Sequence, residues 1–121
     1  MIIGNKIVRQ SDIHGNGIFM ESCNYNSFIY NYFSNLFCGM DLKGSFSNYI
    51  YQNTFVKNIR NARIYECSIL CNKWDRNYWN RPRLMPKIIF GLDPFGTEKE
   101  IWIDVDWHPA KQPYDIPKVT I

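Results

Sequence analysis

The feature that most constrains this chain is an Asn-containing phrase of about eight residues that returns four times along the sequence. The four copies begin at Asn5, Asn26, Asn48 and Asn72, so the phrase keeps a nearly constant period in the low twenties. Such a period is typical of a solenoid, in which each repeat buries its apolar face against the next. The repeat therefore predicts a stacked architecture and says little about chemistry.

A second segment repeats at the same period and indicates how one coil is built. It begins at Gly17, Gly39 and Asn61, each one period from the next, and its second and fourth residues are apolar. Alternation with a period of two is the pattern of a short β-strand with one face turned inward. Because Gly and Asn tolerate left-handed backbone, we expect one corner of each coil at these three residues. We expect another corner at the first Asn of the phrase.

A third column, Asn31, Asn53 and Asn77, follows the same period. Stacked side-chain amides can hydrogen-bond to one another along the axis of a solenoid. We therefore interpret this column as an internal ladder rather than as a ligand site. The aromatic residues that keep the period, such as Phe33 and Phe55, are interpreted as stacked core rather than as a platform for sugars.

These patterns predict an all-β fold, a right-handed parallel β-helix of three to four coils over residues 1–80, each coil about 22 residues long. A leucine-rich repeat has a similar period, but its leucine-dense pattern and its helix-forming half are absent. No segment of the sequence keeps a 3.6-residue apolar period over three helical turns. The period stops at Asn80, where we expect the coils to end.

Residues 81–121 form a different kind of segment, which is rich in Pro. Two apolar runs, 88–91 and 101–107, predict strands, and residues 93–98 between them carry turn chemistry. We predict a β-hairpin that caps the last coil, because an uncovered coil would leave backbone groups unpaired. Residues 108–121 should form an extended tail within the same structural domain. The first coil has no comparable cap, which predicts end-to-end self-association through its N-terminal face.

The composition excludes several classes of partner and gives no sign of a cysteine metal site. A net charge of +3 over 121 residues is too weak to indicate nucleic-acid binding. No apolar run is long enough to span a bilayer, and no signal peptide is visible at the N-terminus. The four Cys lack a metal-binding spacing, which predicts free and mostly buried thiols. The alternative for two of them is a bridge between Cys67 and Cys71.

Three motifs of this sequence are shared with a known class of repeat proteins. They are the phrase N-x-[aromatic/Ile]-x-x-N-x-[aromatic], the Gly-apolar-x-apolar segment, and the closing run from Asn72 to Asn80. On these motifs the chain resembles the right-handed parallel β-helix repeat proteins of the NosD-like, carbohydrate-binding and sugar-hydrolase type. The resemblance implies an extracellular or cell-surface location. It implies no single activity, because the class spans polysaccharide-active enzymes, copper-site maturation factors and surface proteins.

Acidic residues that could catalyse hydrolysis do not stack in this sequence. Enzymes that cut polysaccharides need paired carboxylates, which a parallel β-helix would supply from adjacent turns of one outer sheet. Asp41 has Phe19 one period before it and Arg63 one period after it. No two Asp or Glu residues share an outward column at the spacing of the repeat. We therefore predict no catalytic residue, no cofactor and a non-enzymatic role.

One polar cluster is dense enough to be a candidate metal site. Asp104, Asp106 and His108 alternate along the last predicted strand and would share one of its faces. Carboxylate oxygens and an imidazole could together hold a divalent cation. The alternative interpretation is a solvated outer face of an edge strand, where charges block pairing with other strands.

Outward aromatic residues give a second candidate site. Tyr30, Tyr51, Trp102 and Trp107 are placed to line a surface groove that could stack on sugar rings, or they lie flat on the solenoid. The predicted function is a non-catalytic surface module for attachment or carbohydrate recognition, with a polysaccharide as partner. The alternative is the C-terminal part of a polysaccharide-active hydrolase or lyase whose catalytic coils precede this stretch.

Overall fold

A computed structural model describes residues 2–3, 6–8, 16–66, 70–91 and 102–114 of the chain. Within these ranges the secondary structure consists of short β-strands without a helix. The strands are, in chain order, β1 (Ile2–Ile3), β2 (Lys6–Val8), β3 (Asn16–Glu21), β4 (Ser27–Ile29), β5 (Tyr32–Ser34), β6 (Cys38–Lys43), β7 (Tyr49–Tyr51), β8 (Thr54–Val56), β9 (Arg60–Tyr65), β10 (Lys73–Asp75), β11 (Tyr78–Trp79), β12 (Lys87–Gly91) and β13 (Trp102–Asp106). The described part of the chain has no helix that is long and apolar enough to cross a membrane.

The strands form three sheets, each built by stacking one strand from every coil. Their orders are β1-β4-β7-β10-β13-β12, β2-β5-β8-β11 and β3-β6-β9. Neighbours pair in parallel at the sequence period, as in Phe28 with Ile50 and Leu42 with Ile64. This arrangement confirms the predicted parallel β-helix, because parallel strands that recur once per coil require the chain to wind around a common axis.

The core is made of residues that repeat from coil to coil. Phe33, Phe55 and Trp79 are fully buried. Their rings lie nearly parallel, with centroids 4.8 Å apart for the first pair and 4.6 Å apart for the second. These separations match the spacing of neighbouring strands in a sheet, so backbone pairing and ring stacking satisfy each other. The prediction that the periodic aromatic residues form the core is confirmed.

The predicted amide ladder is also confirmed. Oδ1 of Asn53 accepts the backbone N–H of Asn31 at 2.9 Å and its side-chain Nδ2 at 3.1 Å. Oδ1 of Asn77 accepts the same two donors from Asn53 at 2.9 and 3.1 Å. All three residues are fully buried. A buried polar group is stable only when it is hydrogen-bonded, and each rung here satisfies the rung before it.

A second ladder runs beside the first along Asn26, Asn48 and Asn72. Oδ1 of Asn48 accepts the backbone N–H of Asn26 at 3.0 Å. Oδ1 of Asn72 accepts the backbone N–H and the side-chain Nδ2 of Asn48 at 3.1 and 2.9 Å. The first Asn of the repeated phrase is therefore a ladder residue. The expectation of a left-handed corner at this Asn is wrong, because the corner lies earlier in the chain, at Tyr25, Ser47 and Leu70.

The corners of the coils are left-handed, but not at the glycines that were expected to form them. Twelve described residues have φ between 53 and 66°, and Gly44 is the single glycine among them. They fall into four columns whose members recur once per coil: Ser22, Gly44 and Glu66; Tyr25, Ser47 and Leu70; Tyr30, Gln52 and Arg76; and Asn35, Lys57 and Asn80. Left-handed backbone costs a non-Gly residue about 1–2 kcal/mol, so the ladders and sheets must hold these corners in place.

Gly39 is required for a different reason, which is close approach of the backbone. A Cβ at this position would lie 2.5 Å from the carbonyl oxygen of Asn61 and 2.9 Å from Cδ1 of Phe55. Gly17 is crowded in the same way by the carbonyl oxygen of Gly39 at 2.7 Å. The expectation of left-handed backbone at these two glycines is wrong. Glycine is required there because a Cβ atom would not fit, and not because the backbone is left-handed.

The C-terminal hairpin extends one sheet beyond the last coil. β12 and β13 pair antiparallel, and β13 pairs in parallel with β10, so that Asp106 lies beside Trp74. Ile89 of β12 is buried and joins the core. The predicted capping hairpin is confirmed, while its turn at residues 93–98 lies outside the described residues.

The tail beyond the hairpin runs back along the coils. The backbone N–H of Ala110 donates to the carbonyl of Asn77 at 2.9 Å, and that of Tyr114 donates to Oγ1 of Thr54 at 3.0 Å. This path agrees with an extended tail over residues 108–114. At the other end, β1, β2 and β3 each lie at the edge of their sheet in the described part of the chain. Self-association through that end stays a prediction.

The described cysteines include two free thiols and one disulfide-bonded residue. Cys23 and Cys38 are free, the first exposed and the second buried. Cys71 is disulfide-bonded, and its partner lies outside the described residues. The expectation of free thiols is therefore wrong for Cys71.

Alkaline pH should destabilise the protein through Cys38. Burial in the first place, and the nearby Asp41 in the second, raise the pKa of this thiol from 9.0 to about 12. Above pH 9 the unfolded chain releases the thiol proton and the folded chain keeps it, so the free energy of unfolding falls between pH 9 and 12. The slope from this group approaches about 1.4 kcal/mol per pH unit. Urea denaturation at pH 8, 9 and 10 should show a shallower decline for Cys38→Ala than for Cys23→Ala. Equal declines would contradict the assignment.

Candidate functional site

The outer face of the largest sheet carries stacked tyrosines. Tyr49 and Tyr51 flank the buried Ile50 on β7, so strand alternation turns both rings outward. The two rings stack with centroids 5.4 Å apart and an angle of 18° between their planes. Tyr49 is 36 % exposed, which leaves a flat aromatic surface open to solvent.

Two further tyrosines extend this surface along the solenoid. Tyr30 occupies a left-handed corner and is 42 % exposed. Its ring meets the ring of Tyr114 edge-on, with centroids 5.9 Å apart. The hydroxyl of Tyr114 donates to the carbonyl of Arg76 at 2.8 Å, which attaches the tail to the following coil. We call the surface formed by Tyr30, Tyr49, Tyr51 and Tyr114 the tyrosine face.

Charged and polar groups border the tyrosine face. Nη1 of Arg76 donates to the hydroxyl of Tyr51 at 3.2 Å, and its guanidinium carbon lies 6.0 Å from the centre of that ring. Asp75 is in register with Tyr51 on the next strand. Oδ1 of Asp75 lies 3.0 Å from Nδ1 of His108. The face therefore combines aromatic rings with a cation, a carboxylate and an imidazole.

Two phenol groups of this face, those of Tyr49 and Tyr114, have a raised pKa. Desolvation raises the pKa of Tyr49 above its usual value, and the neighbouring Asp75 raises it further. Desolvation also raises the pKa of Tyr114, against the opposing effect of a hydrogen bond with Gln52. The protonated hydroxyl of Tyr49 can therefore act as donor and as acceptor toward a ligand, while that of Tyr114 already donates to Arg76.

The structure brings together part of the aromatic set predicted from the sequence. Tyr51 and Tyr30 both belong to the tyrosine face, Tyr51 on the strand and Tyr30 on the adjoining corner. Trp107 is 58 % exposed and directly precedes His108, which contacts Asp75. Trp102 lies on β13, and its side chain is outside what the structure describes. These residues stay predictions as ligand contacts.

Asp104 closes the ladder formed by Asn26, Asn48 and Asn72. Oδ1 of Asp104 accepts the backbone N–H groups of Cys71 and Asn72 at 2.8 and 3.3 Å. Oδ2 accepts Nδ2 of Asn72 at 3.1 Å and the indole Nε1–H of Trp74 at 2.9 Å. The carboxylate thus takes the place that the amide of another coil would have taken.

Asp106 closes the ladder formed by Asn31, Asn53 and Asn77 in the same way. Its Oδ2 accepts the backbone N–H and Nδ2 of Asn77 at 2.9 and 3.1 Å, and the indole Nε1–H of Trp79 at 2.9 Å. Its Oδ1 accepts the backbone N–H groups of Arg76 and His108, both at 3.1 Å. A carboxylate ends a ladder well, since it accepts hydrogen bonds and has no N–H left to satisfy.

The three residues of the predicted metal site do not share one environment in the structure. Asp104 and Asp106 are fully buried, so the alternative of a solvated edge face is wrong for them. The side chain of His108 is exposed and contacts Asp75 instead. A cation at the two Asp residues would have to compete with the hydrogen bonds that end the ladders. The metal site stays a prediction.

Asp41 was predicted to lie between Phe19 and Arg63, and its register confirms this. Asp41 is buried and accepts hydrogen bonds from Nε and Nη2 of Arg63 at 3.1 and 2.5 Å. A two-point Arg–carboxylate pair of this kind holds neighbouring coils together. The one-period spacing places the two residues side by side, although no ion pair was predicted from it.

Residues that the sequence analysis did not select complete the tyrosine face. Asp75 and Arg76 could have been found from the repeat, because Asp75 follows Tyr51 at the spacing of those two coils and pairs with it. Tyr114 lies in the non-repeating tail, where no period points to its neighbours.

Residues 1–92 of the chain match the model of the protein family described as NosD, periplasmic copper-binding protein. No curated protein sequence matches the chain. No solved structure matches it either. The family match covers all of the coils and the first strand of the hairpin.

Proposed function

This chain belongs to the NosD family, and on that premise we propose that it is a non-catalytic β-helix module that recognises carbohydrate on the tyrosine face. The proposal is supported by one observation above the others, the exposed tyrosines on adjacent coils with charged groups beside them. A parallel β-helix offers such a surface as a rigid platform, because each side chain is carried by a strand or a corner of the coils.

The chemistry of the tyrosine face suits a sugar ring. The apolar C–H face of a sugar packs on an aromatic ring, and Tyr49, the more exposed ring of the pair that it forms with Tyr51, offers such a ring. Sugar hydroxyls need donors and acceptors at the edge of such a surface. Arg76 supplies a guanidinium and Asp75 a carboxylate at that edge.

An extracytoplasmic location is part of this proposal. The family description names the periplasm. The disulfide at Cys71 agrees with it, because disulfides persist in oxidising compartments and are rare in the cytosol. A module that contacts polysaccharide at a cell surface would work in such a compartment.

Copper, which the family description names, does not enter the proposal, because the described residues do not fit it. Copper sites use imidazole, thiolate or thioether ligands. Among the described residues, His108 is the one imidazole and Cys23 the one exposed free thiol, while the thiol of Cys38 is buried with its pKa at about 12. Across the described ranges, no group of three or more His, Cys, Asp and Glu residues could hold a metal ion.

The test is binding of oligosaccharides, measured on a glycan array and then by calorimetry for the best binder. Tyr51→Ala should weaken binding about tenfold, because it removes a stacking ring and the partner of Arg76. Tyr25→Ala is the matched control, since Tyr25 is an exposed corner tyrosine that contacts Phe46 and lies outside the tyrosine face.

Two results would contradict the proposal. The first is an array without binding. The second is equal loss of affinity in the Tyr51 and Tyr25 variants. Cleavage of a bound oligosaccharide would instead favour the alternative, a part of a polysaccharide-active hydrolase or lyase.

A further inference from the structure

A cavity of about 340 Å³ lies between the last strand of the third sheet and the hairpin. Its lining includes Arg60 and Ala62 of β9, Trp79 of β11, and Lys87, Ile88 and Phe90 of β12. This volume is at the small end of the range for ligand pockets. None of these residues belongs to the tyrosine face.

Positive charge is concentrated around the cavity. Lys87 and Arg60 line it, and Arg81 and Arg83 are close enough to Lys87 to act on its charge. Desolvation, followed by Arg83 and Arg81, lowers the pKa of Lys87. None of the ion pairs within the described ranges involves any of these four cations.

One donor in this group is buried without a partner. Nε of Arg83 is shielded from solvent and has no hydrogen-bond acceptor among the described atoms. Leaving such a donor unpaired costs about 1–3 kcal/mol, and more for a charged group. Desolvation also lowers the pKa of Arg83, with Arg81 adding to the effect. Arg83 does not line the cavity, so it contributes through the positive potential that it adds beside Lys87.

The walls of the cavity are partly apolar. Phe90 is 53 % exposed and Ile88 is 42 % exposed, which is a large apolar surface for a strand at a sheet edge. Trp79 contributes to the lining from the core side. A ligand that satisfies the whole cavity therefore needs a charged end and a flat or apolar body.

We propose that this cavity binds a small organic anion, a carboxylate or phosphate ester with an apolar body, held by Lys87 and Arg60, with Arg81 and Arg83 adding to the positive potential. Guanidinium groups bind carboxylate and phosphate oxygens with two parallel N–H donors, and the ammonium of Lys87 adds a point charge. The site uses residues that the carbohydrate proposal does not use, so the two proposals fail independently.

The experiment is titration calorimetry of the whole chain with benzoate, with benzamide as the neutral analogue of the same shape. Wild type should bind benzoate, and binding should weaken as salt is raised. Benzamide should bind at least about tenfold more weakly, since it lacks the charge. Inorganic phosphate is titrated as a third probe to separate charge from the apolar body.

Variants locate the site. Lys87→Gln and Arg60→Gln should each weaken benzoate binding at least about tenfold, and Lys111→Gln, an exposed cation on the tail, should leave it unchanged. Arg60→Lys keeps the charge and removes the two-donor geometry, so it should bind benzoate more weakly than wild type. Thermal melts confirm that each variant is folded at the titration temperature.

Three outcomes would overturn the proposal. They are equal binding of benzoate and benzamide, loss of affinity in Lys111→Gln equal to that in Lys87→Gln, and no binding of benzoate by wild type. In the last case, binding of inorganic phosphate would show that the cavity recognises charge alone.

Discussion

Asp106→Asn is expected to lower the free energy of unfolding by about 3–5 kcal/mol. The carboxylate of Asp106 is fully buried and accepts five hydrogen bonds, including the indole N–H of Trp79 and both amide donors of Asn77. An Asn side chain has one oxygen in place of two. Its NH₂ group would face either the donors of Asn77 and Trp79 or the backbone N–H groups of Arg76 and His108. Either orientation leaves buried donors unpaired.

Urea denaturation at neutral pH measures this effect. Asp75→Asn is the matched control, because Asp75 is a partly exposed Asp whose ion pairs lie at the surface, and its replacement should cost about 1 kcal/mol or less. Asp104→Asn should resemble Asp106→Asn, since it ends the other ladder in the same way. A change in Asp106→Asn no larger than that in Asp75→Asn would refute the ladder-ending role.

Asn53→Leu is expected to cost about 3–5 kcal/mol, although Leu is similar in size and more apolar. Asn53 is the middle rung, so its loss affects both neighbours. The backbone N–H of Asn31 and the carbonyl of Phe28 would both be buried without their partner. Oδ1 of Asn77 would lose the side-chain donor from the coil below it.

Asn24→Leu provides the comparison for this prediction. Asn24 is a half-buried Asn whose Oδ1 accepts one backbone N–H, that of Phe46 at 2.9 Å. Because that bond is at the exposed surface, its loss should cost about 1 kcal/mol. Equal unfolding free energies for the two variants would show that the buried column does not hold the coils together.

The period of the sequence was enough to predict the architecture, the core and the ladder. Each of these depends on residues that meet their own equivalents in the next coil, such as Phe33 with Phe55 and Asn31 with Asn53. A repeat spacing states directly which residues are neighbours. For that reason Asp41 and Arg63, which lie one repeat apart, are neighbours in the sheet.

The role of the two Asp residues could not be predicted from alternation alone. Alternation indicates that Asp104 and Asp106 share a face, but not which face. β13 continues the large sheet in register with β10, so the face that carries the carboxylates is the inner one. The deciding groups are the indole N–H donors of Trp74 and Trp79, which require buried acceptors.

The corners show a second limit of local reasoning. Left-handed backbone was expected at Gly and Asn, yet bulky residues such as Tyr25, Lys57 and Leu70 adopt it. At these positions, hydrogen bonds to neighbouring strands override the preference of left-handed backbone for Gly and Asn. The backbone N–H of Leu70, for example, donates to the carbonyl of Ile103 at 2.7 Å.

The candidate site was predicted in part for a related reason. Tyr51 could be assigned to the outside of its strand from alternation, because Ile50 beside it follows the core column. Tyr114 could not be placed, since the tail has no repeat to relate it to Tyr30. The cation-lined cavity depends on packing of the hairpin against β9, which no spacing in the sequence encodes.

Native-state hydrogen exchange by NMR tests most directly the claim that the Asn ladders hold this β-helix together. The backbone amides of Asn31, Asn53 and Asn77 donate to the next rung of the ladder and are fully buried. They should exchange only through global unfolding, with an opening free energy equal to the free energy of unfolding measured in urea. In Asp106→Asn all three should lose protection together. Opening of these amides at several kcal/mol below the global value in the wild-type protein would contradict the account.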